Sequence, residues 1–104
     1  MDKELRDKWV AALRSGEYQQ GKGYLKDIDG YYCCLGVCAD VINKDAWVHN
    51  PDVLGDWSWN GEMDSLPEEI VPDEIQSTLI RKNDDMGESF SEIADWIEEN
   101  IPVE

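Results

Sequence analysis

Between residues 52 and 104 the sequence holds only two basic residues, Arg81 and Lys82, against sixteen Asp and Glu, a net of −14. Residues 1–51 hold eight acidic and seven basic residues, a net of −1, so one half of the chain carries nearly all of the overall −15. A surface of that sign repels nucleic acid and membrane phosphate, and it draws basic surfaces at long range. It argues against direct nucleic-acid binding and against a membrane partner.

Other absences narrow the reading further. No apolar run approaches the roughly 18 residues of a membrane-spanning helix. The opening Met1-Asp2-Lys3-Glu4-Leu5-Arg6 is charged throughout and leads into no signal-peptide core. The cysteines number three, two of them adjacent, which is unlike a secreted disulfide framework and fits a reducing cytoplasm. At 104 residues, 41% hydrophobic and with five Trp and four Tyr, the chain has core material for one folded domain, 1–104, without internal repeat or linker.

Catalytic and metal motifs are weak. Cys33, Cys34, Cys38 and the one histidine, His49, raise the question of zinc, and Cys34 and Cys38 can share a helix face. The surrounding Leu, Val, Ala and Ile favour cysteine as a small core hydrophobe instead. A single histidine leaves only a Cys–His49 dyad for nucleophilic catalysis, with no Gly-x-Ser-x-Gly frame. Asn83-Asp84-Asp85-Met86-Gly87 fails as an EF-hand: with Gly87 at loop position six, Ile93 stands where the bidentate Glu belongs. Gly87-Glu88-Ser89-Phe90-Ser91-Glu92-Ile93-Ala94 looks like a helix-turn-helix opening, but Asp84, Asp85, Glu88, Glu92, Asp95, Glu98 and Glu99 around it would repel phosphate. The expectation is a protein without catalytic residues, bound metal or cofactor.

Periodicity predicts an α+β domain of about four helices around a short antiparallel hairpin or sheet. Residues 2–15 form an amphipathic helix with Leu5, Trp9, Ala12 and Leu13 inward, Val10 beside them, and Asp2, Lys3, Arg6, Asp7 and Lys8 in water. Ser15-Gly16 ends it. Residues 17–30 are turn-rich, with a short hairpin around residues 24–28 and 31–32. Cys33–Asn43 reads as a buried helix. After the breaks at Asn50-Pro51 and Gly55, Asp56–Met63 alternates around Asn60-Gly61, a hairpin signal that puts Trp57 and Trp59 on one face. Ser65-Leu66-Pro67-Glu68 opens a short turn closed by Pro72. Asp73 caps a helix over 74–82 with Ile75, Leu79 and Ile80 inward, and 83–87 is a turn. Ser89-Phe90-Ser91-Glu92 caps a last helix whose stripe is Phe90, Ile93, Ala94, Trp96, Ile97 and Ile101. Trp96, so placed, should be buried.

Two stretches carry a family resemblance: Leu13-Arg14-Ser15-Gly16 through Gly30-Tyr31-Tyr32-Cys33-Cys34-Leu35-Gly36-Val37, and Asn83-Asp84 through Ser89-Phe90-Ser91-Glu92-Ile93-Ala94-Asp95-Trp96-Ile97-Glu98. Together, over about half of the chain, they resemble a family of small proteins of tailed bacteriophages and prophages. The resemblance implies an accessory protein at work in the bacterial host cytoplasm and brings no catalytic residues with it.

A small acidic protein of that kind acts by binding. The leading expectation is an inhibitor of a host defence protein, occupying a basic, nucleic-acid-binding groove as a DNA mimic. Glu68, Glu69, Asp73, Glu74, Asp84, Asp85, Glu88, Glu92, Asp95 and Glu99 are the candidate phosphate-like contacts, with Trp57 and Trp59 as anchors. The alternatives are a structural or regulatory phage protein and a small-ligand or nucleotide binder. The binder would use a pocket of Tyr24, Tyr31, Trp57 and Trp59, with Arg14, Lys22 and Lys26 keeping that half of the chain near neutral.

Overall fold

The computed structural model describes residues 1–49 and 57–103. Among these residues the chain forms four α-helices and one two-stranded antiparallel sheet, the expected α+β class. Asn50-Pro51, Gly55 and Asp56 lie outside the described residues.

Helix α1 spans Lys3–Arg14, capped by the Asp2 carboxylate, which accepts from the Leu5 N–H at 2.9 Å. It buries Trp9, Val10 and Leu13, and Gly16 follows at φ 79°, a left-handed turn that glycine enters without a Cβ penalty. The spacing of Arg6 suggested water, but its side chain is only 17% exposed. Its long stem packs along the protein while the guanidinium reaches Asp7.

Helix α2, Cys34–Ile42, is the centre of the fold. Every residue from Cys34 to Ala39 is buried, so the run CLGVCA is helix enclosed on nearly all sides. Gly36 makes that enclosure possible. A Cβ there would stand 1.8 Å from the Leu25 carbonyl oxygen and 2.6 Å from its carbon, so the 21–26 segment crosses α2 backbone against helix.

Helix α3 spans Asp73–Asp84 and α4 spans Phe90–Asn100. Pro72 stands at the cap of α3 and Asp73 falls in its first turn, one place inside its expected position; there its charge still faces the positive helix end. The helix also continues through Asn83 and Asp84, expected as a turn. Residues 66–71 make one turn, closed by Ile70 and Val71 N–H groups donating to the Pro67 carbonyl. The Ser89–Glu92 capping box is present in both directions and opens α4 as the motif predicts. Phe90, Ile93, Ala94, Ile97 and Ile101 are buried; Trp96 is half-buried, at the edge of the stripe and not within it.

The sheet departs from expectation in its pairing. Asn60 and Gly61, at φ 55° and 86°, do form a tight turn, and Trp59 and Glu62 exchange both backbone hydrogen bonds across it. The hairpin stops there because the next carbonyl, that of Met63, accepts from the Leu25 N–H at 2.7 Å and draws the chain elsewhere. Strand β2, Trp57–Trp59, pairs instead with β1, Trp47–His49, in the register Trp47–Trp59, Val48–Ser58 and His49–Trp57. The expected hairpin before α2 survives as a single antiparallel bridge, Lys26 with Tyr32. A further antiparallel bridge joins Lys26 to Trp57, so Tyr32, Lys26, Trp57 and His49 run side by side across four chain segments.

Candidate functional site

That lateral row determines where four side chains go. Residues directly opposite one another on neighbouring strands project from the same face, and so does the residue two places along. Tyr32, Lys26, Trp57 and His49 therefore share a face with Trp47. The Lys26 ammonium lies 4.2 Å from the Trp57 ring centroid, 5.3 Å from that of Tyr32 and 5.4 Å from that of Trp47, within cation–π range of all three. His49 lies against the outer side of this group, 4.9 Å from Trp57 between ring centroids.

The walls are braced from behind. The Trp47 indole N–H donates to Asp40 Oδ1 at 3.0 Å, and the Tyr18 hydroxyl donates to Asp40 Oδ2 at 2.6 Å. Tyr18 meets Tyr32 edge-on at 5.0 Å, and Tyr32 meets Trp47 at 5.9 Å. Burial, and then the bond to Asp40, push the Tyr18 phenol above its ordinary value, so it stays a donor through the neutral range. The result is an aromatic cage around an ammonium, fixed in orientation by one carboxylate.

A cavity of about 260 Å³ lies elsewhere, where the 21–25 segment meets the C-terminal half of α3. Gly23, Tyr24, Cys33, Asp64, Ser65 and Asp84 line it. Its wall is stitched by polar bonds: Asn83 Nδ2 donates to the Gly21 carbonyl and to Asp84 Oδ1, each at 2.8 Å, and the Gly23 N–H donates to Asp84 Oδ2 at 3.2 Å. Gln20 Nε2 completes the network, donating to Asn83 Oδ1 at 2.9 Å and to the Glu88 carbonyl at 2.8 Å. Asn83 is fully buried with its amide satisfied at both ends.

The pocket expected from Tyr24, Tyr31, Trp57 and Trp59 is not assembled. Tyr24 lines the cavity, Tyr31 is exposed, Trp57 belongs to the cage, and Trp59 is buried with its indole N–H donating to the Asn43 carbonyl. Trp59 is thus a core residue and not a surface anchor. Period-two alternation puts Trp57 and Trp59 on one face but does not reveal which neighbours cover each.

The acidic candidates divide by what holds them. Glu68, Glu69, Asp73, Glu74, Asp85 and Glu99 are exposed. Asp84 is half-buried in the cavity wall, and Glu88 pairs with Lys82 at 3.2 Å with both side chains largely covered. Glu92 accepts from the Ser89 N–H in the capping box. Asp95 pairs with Arg14 at 2.6 Å, as does Glu98 at 2.6 Å, so a cation of the near-neutral half reaches across and offsets part of the acidic half. The Arg14 hydrogen bond holds the Glu98 carboxyl below its usual range.

All three cysteines are free and buried. Burial raises their thiol pKa values, that of Cys33 to about 11 despite the Gly36 and Leu35 N–H groups that favour its thiolate. Neutral, covered thiols serve as packing, in keeping with the core reading. His49 sits against Trp57, and among the described residues no three His, Cys, Asp or Glu side chains converge as a metal site.

Sequence reasoning missed the cage residues Lys26, Tyr32, Trp47 and Asp40 as a group. They come from four separate stretches, and only the tertiary pairing of Lys26 with both Tyr32 and Trp57 brings them together. It also missed Gln76 and Asn83 as interior residues, because polar type and helical spacing together signal water.

Among the described residues no helix is long and apolar enough to cross a membrane. No curated protein and no solved structure matches the chain significantly. One family profile, a domain of unknown function designated DUF8296, matches residues 1–72. That span takes in α1, α2, both strands, the cage and most of the cavity wall, and the chain belongs to the DUF8296 family.

Proposed function

We propose that this is a non-catalytic bacteriophage accessory protein that acts in the host cytoplasm by binding. Its target is a basic, nucleic-acid-binding host defence protein, which it inhibits through its acidic surface. The observation that carries this reading is the group Glu68, Glu69, Asp73 and Glu74, exposed within seven residues at the entry to α3 and without a cationic partner among the described residues. Asp85, after the end of α3, and Glu99, on α4, are exposed as well. Unpaired carboxylates at this density can stand in for a run of phosphates, and such a complex forms fast and weakens with salt.

The test is capture of a basic protein from bacterial lysate at low salt, with release as the Debye length shortens from about 10 Å at 0.1 M to about 3 Å at 1 M. Reversing Glu68, Glu69, Glu74 and Glu99 to Lys should abolish capture while the circular dichroism stays native. Glu88, Glu92 and Asp95 are unsuitable for that variant, since they hold Lys82, the α4 cap and Arg14. Capture unchanged by the reversal would refute the acidic-face reading. The cavity beside Tyr24 favours a second reading, a small-ligand binder; its two carboxylates select a neutral or cationic compound over a nucleotide.

A further inference from the structure

Among the described residues the Lys26 ammonium pairs with no carboxylate. It points at three aromatic faces instead. A primary ammonium is strongly hydrated and gains most from a carboxylate or from water. A cage of π-faces is better matched to a cation with little hydration to lose, and cation–π attraction grows when the cation is desolvated. A quaternary ammonium would lose less hydration than Lys26 does on entering the same cage.

We propose that Tyr32, Trp47 and Trp57 form a recognition site for a quaternary ammonium group, with Lys26 as an internal occupant that the ligand displaces. Four features support this role. The walls are placed by the Lys26 backbone and by other residues, not by the Lys26 side chain: Asp40 holds Trp47, Tyr18 packs edge-on against Tyr32, and His49 lies against Trp57. All four residues of the cage are half-buried, so the site combines solvent access with partial desolvation. Lys26 joins the lateral row through its backbone, whose carbonyl accepts from the Trp57 N–H at 3.2 Å, so its side chain can swing out without breaking that bond. Its flexible four-carbon stem allows the movement. Asp40 lies behind the cage and contributes a negative charge that favours any cation placed there. The site is separate from the exposed carboxylates of α3 and α4, so it stands or falls independently of the acidic-face reading.

The ligand can be a free alkylammonium compound or a trimethylated lysine of another protein, since both present the same group. Titration with tetramethylammonium chloride, followed by tryptophan fluorescence against sodium chloride at equal ionic strength, tests the cage directly. Lys26→Ala should bind tetramethylammonium about tenfold or more tighter than the unaltered protein, and the further change Trp57→Ala should remove the gain. Absence of a saturable response in folded Lys26→Ala, or an undiminished response in the double variant, would overturn the proposal. The unaltered protein gives a second readout that needs no variant. The Lys26 ε-methylene protons should resonate upfield under the ring currents and move back as tetramethylammonium is added; ordinary or unmoved resonances would overturn it equally. Comparing choline with a trimethyl-lysine peptide and its unmethylated counterpart then assigns the source, tighter binding of choline indicating a small molecule and of the methylated peptide a protein.

Discussion

Gly36 shows how one residue sets the geometry around it. The 1.8 Å approach of an added Cβ to the Leu25 carbonyl leaves no rotamer to relieve the clash, because the obstacle is backbone. Gly36→Ala must push the 21–26 segment off α2, and with it Lys26 and the cavity wall. The expected cost is about 3 kcal/mol or more, at the upper end for overpacking, read as a fall in denaturation midpoint. A midpoint within about 0.5 kcal/mol of the unaltered protein would show that the segment does not cross α2 so closely. The three thiols give a pH signature. Each is raised in the folded state, so folded protein favours the protonated form, and that contribution is whole below the unfolded value of 9.0. Above it, unfolded thiols ionise first and stability falls as pH rises, for Cys33 across the window from 9.0 to about 11. Thiol-reagent labelling should accordingly be slow in native buffer at neutral pH and reach three groups in denaturant. Fast native labelling of any one would place that cysteine outside the core.

Among the elements, α4 separates packing from edge contact in two adjacent residues. Ile97 is fully buried, so Ile97→Ala should cost about 2–5 kcal/mol. Trp96 is half-buried, its ring under the Lys82 ammonium at 5.4 Å, and Trp96→Ala should cost only about 1–2 kcal/mol. That is less than the 3–5 kcal/mol that full burial on the stripe would imply. Equal costs in urea unfolding would mean that Trp96 is core after all. The difference also marks how far sequence pattern reaches. The ends of α1, the burial of α2 and the α4 capping box were all legible, because caps, glycine stops and apolar spacing act locally. Helix α3 was legible as an element, with Leu79 inward as expected, but its buried polar residues and last turn were not, because its inner line is Gln76, Leu79 and Asn83. Gln76 accepts from the Leu66 N–H and donates to the Leu66 and Val71 carbonyls, all within 2.9 Å, so this face meets loop backbone that needs hydrogen bonds more than apolar contact. Periodicity of hydrophobic residues cannot report a face selected for bonding. The pairing of β1 with β2 was hidden for a related reason: the Asn60-Gly61 turn is real, but the tertiary bond from Leu25 to Met63 ends its hairpin after one pair.

At the scale of the whole molecule, the division of charge along the sequence is softened but not erased by folding. Helix α1 packs against α4, and Arg14 spends its charge on Asp95 and Glu98, while Lys82 covers Glu88. Glu68, Glu69, Asp73, Glu74, Asp85 and Glu99 stay exposed. The acidic candidates were legible in composition; which of them hold the fold together was not, since each internal partner comes from the tertiary arrangement or from a cap. The exposed set makes mimicry of a phosphate row the central functional claim, and displacement tests it most directly. Nucleic-acid-binding proteins of a bacterial lysate would be retained on immobilised DNA and washed with this protein at about 0.1 M salt, where surface charge still reaches about 10 Å. The expected result is elution of a basic protein by the unaltered chain and none by the variant with Glu68, Glu69, Glu74 and Glu99 reversed to Lys. Retention of this protein on the column together with its partner and the DNA, as a ternary complex, would contradict it.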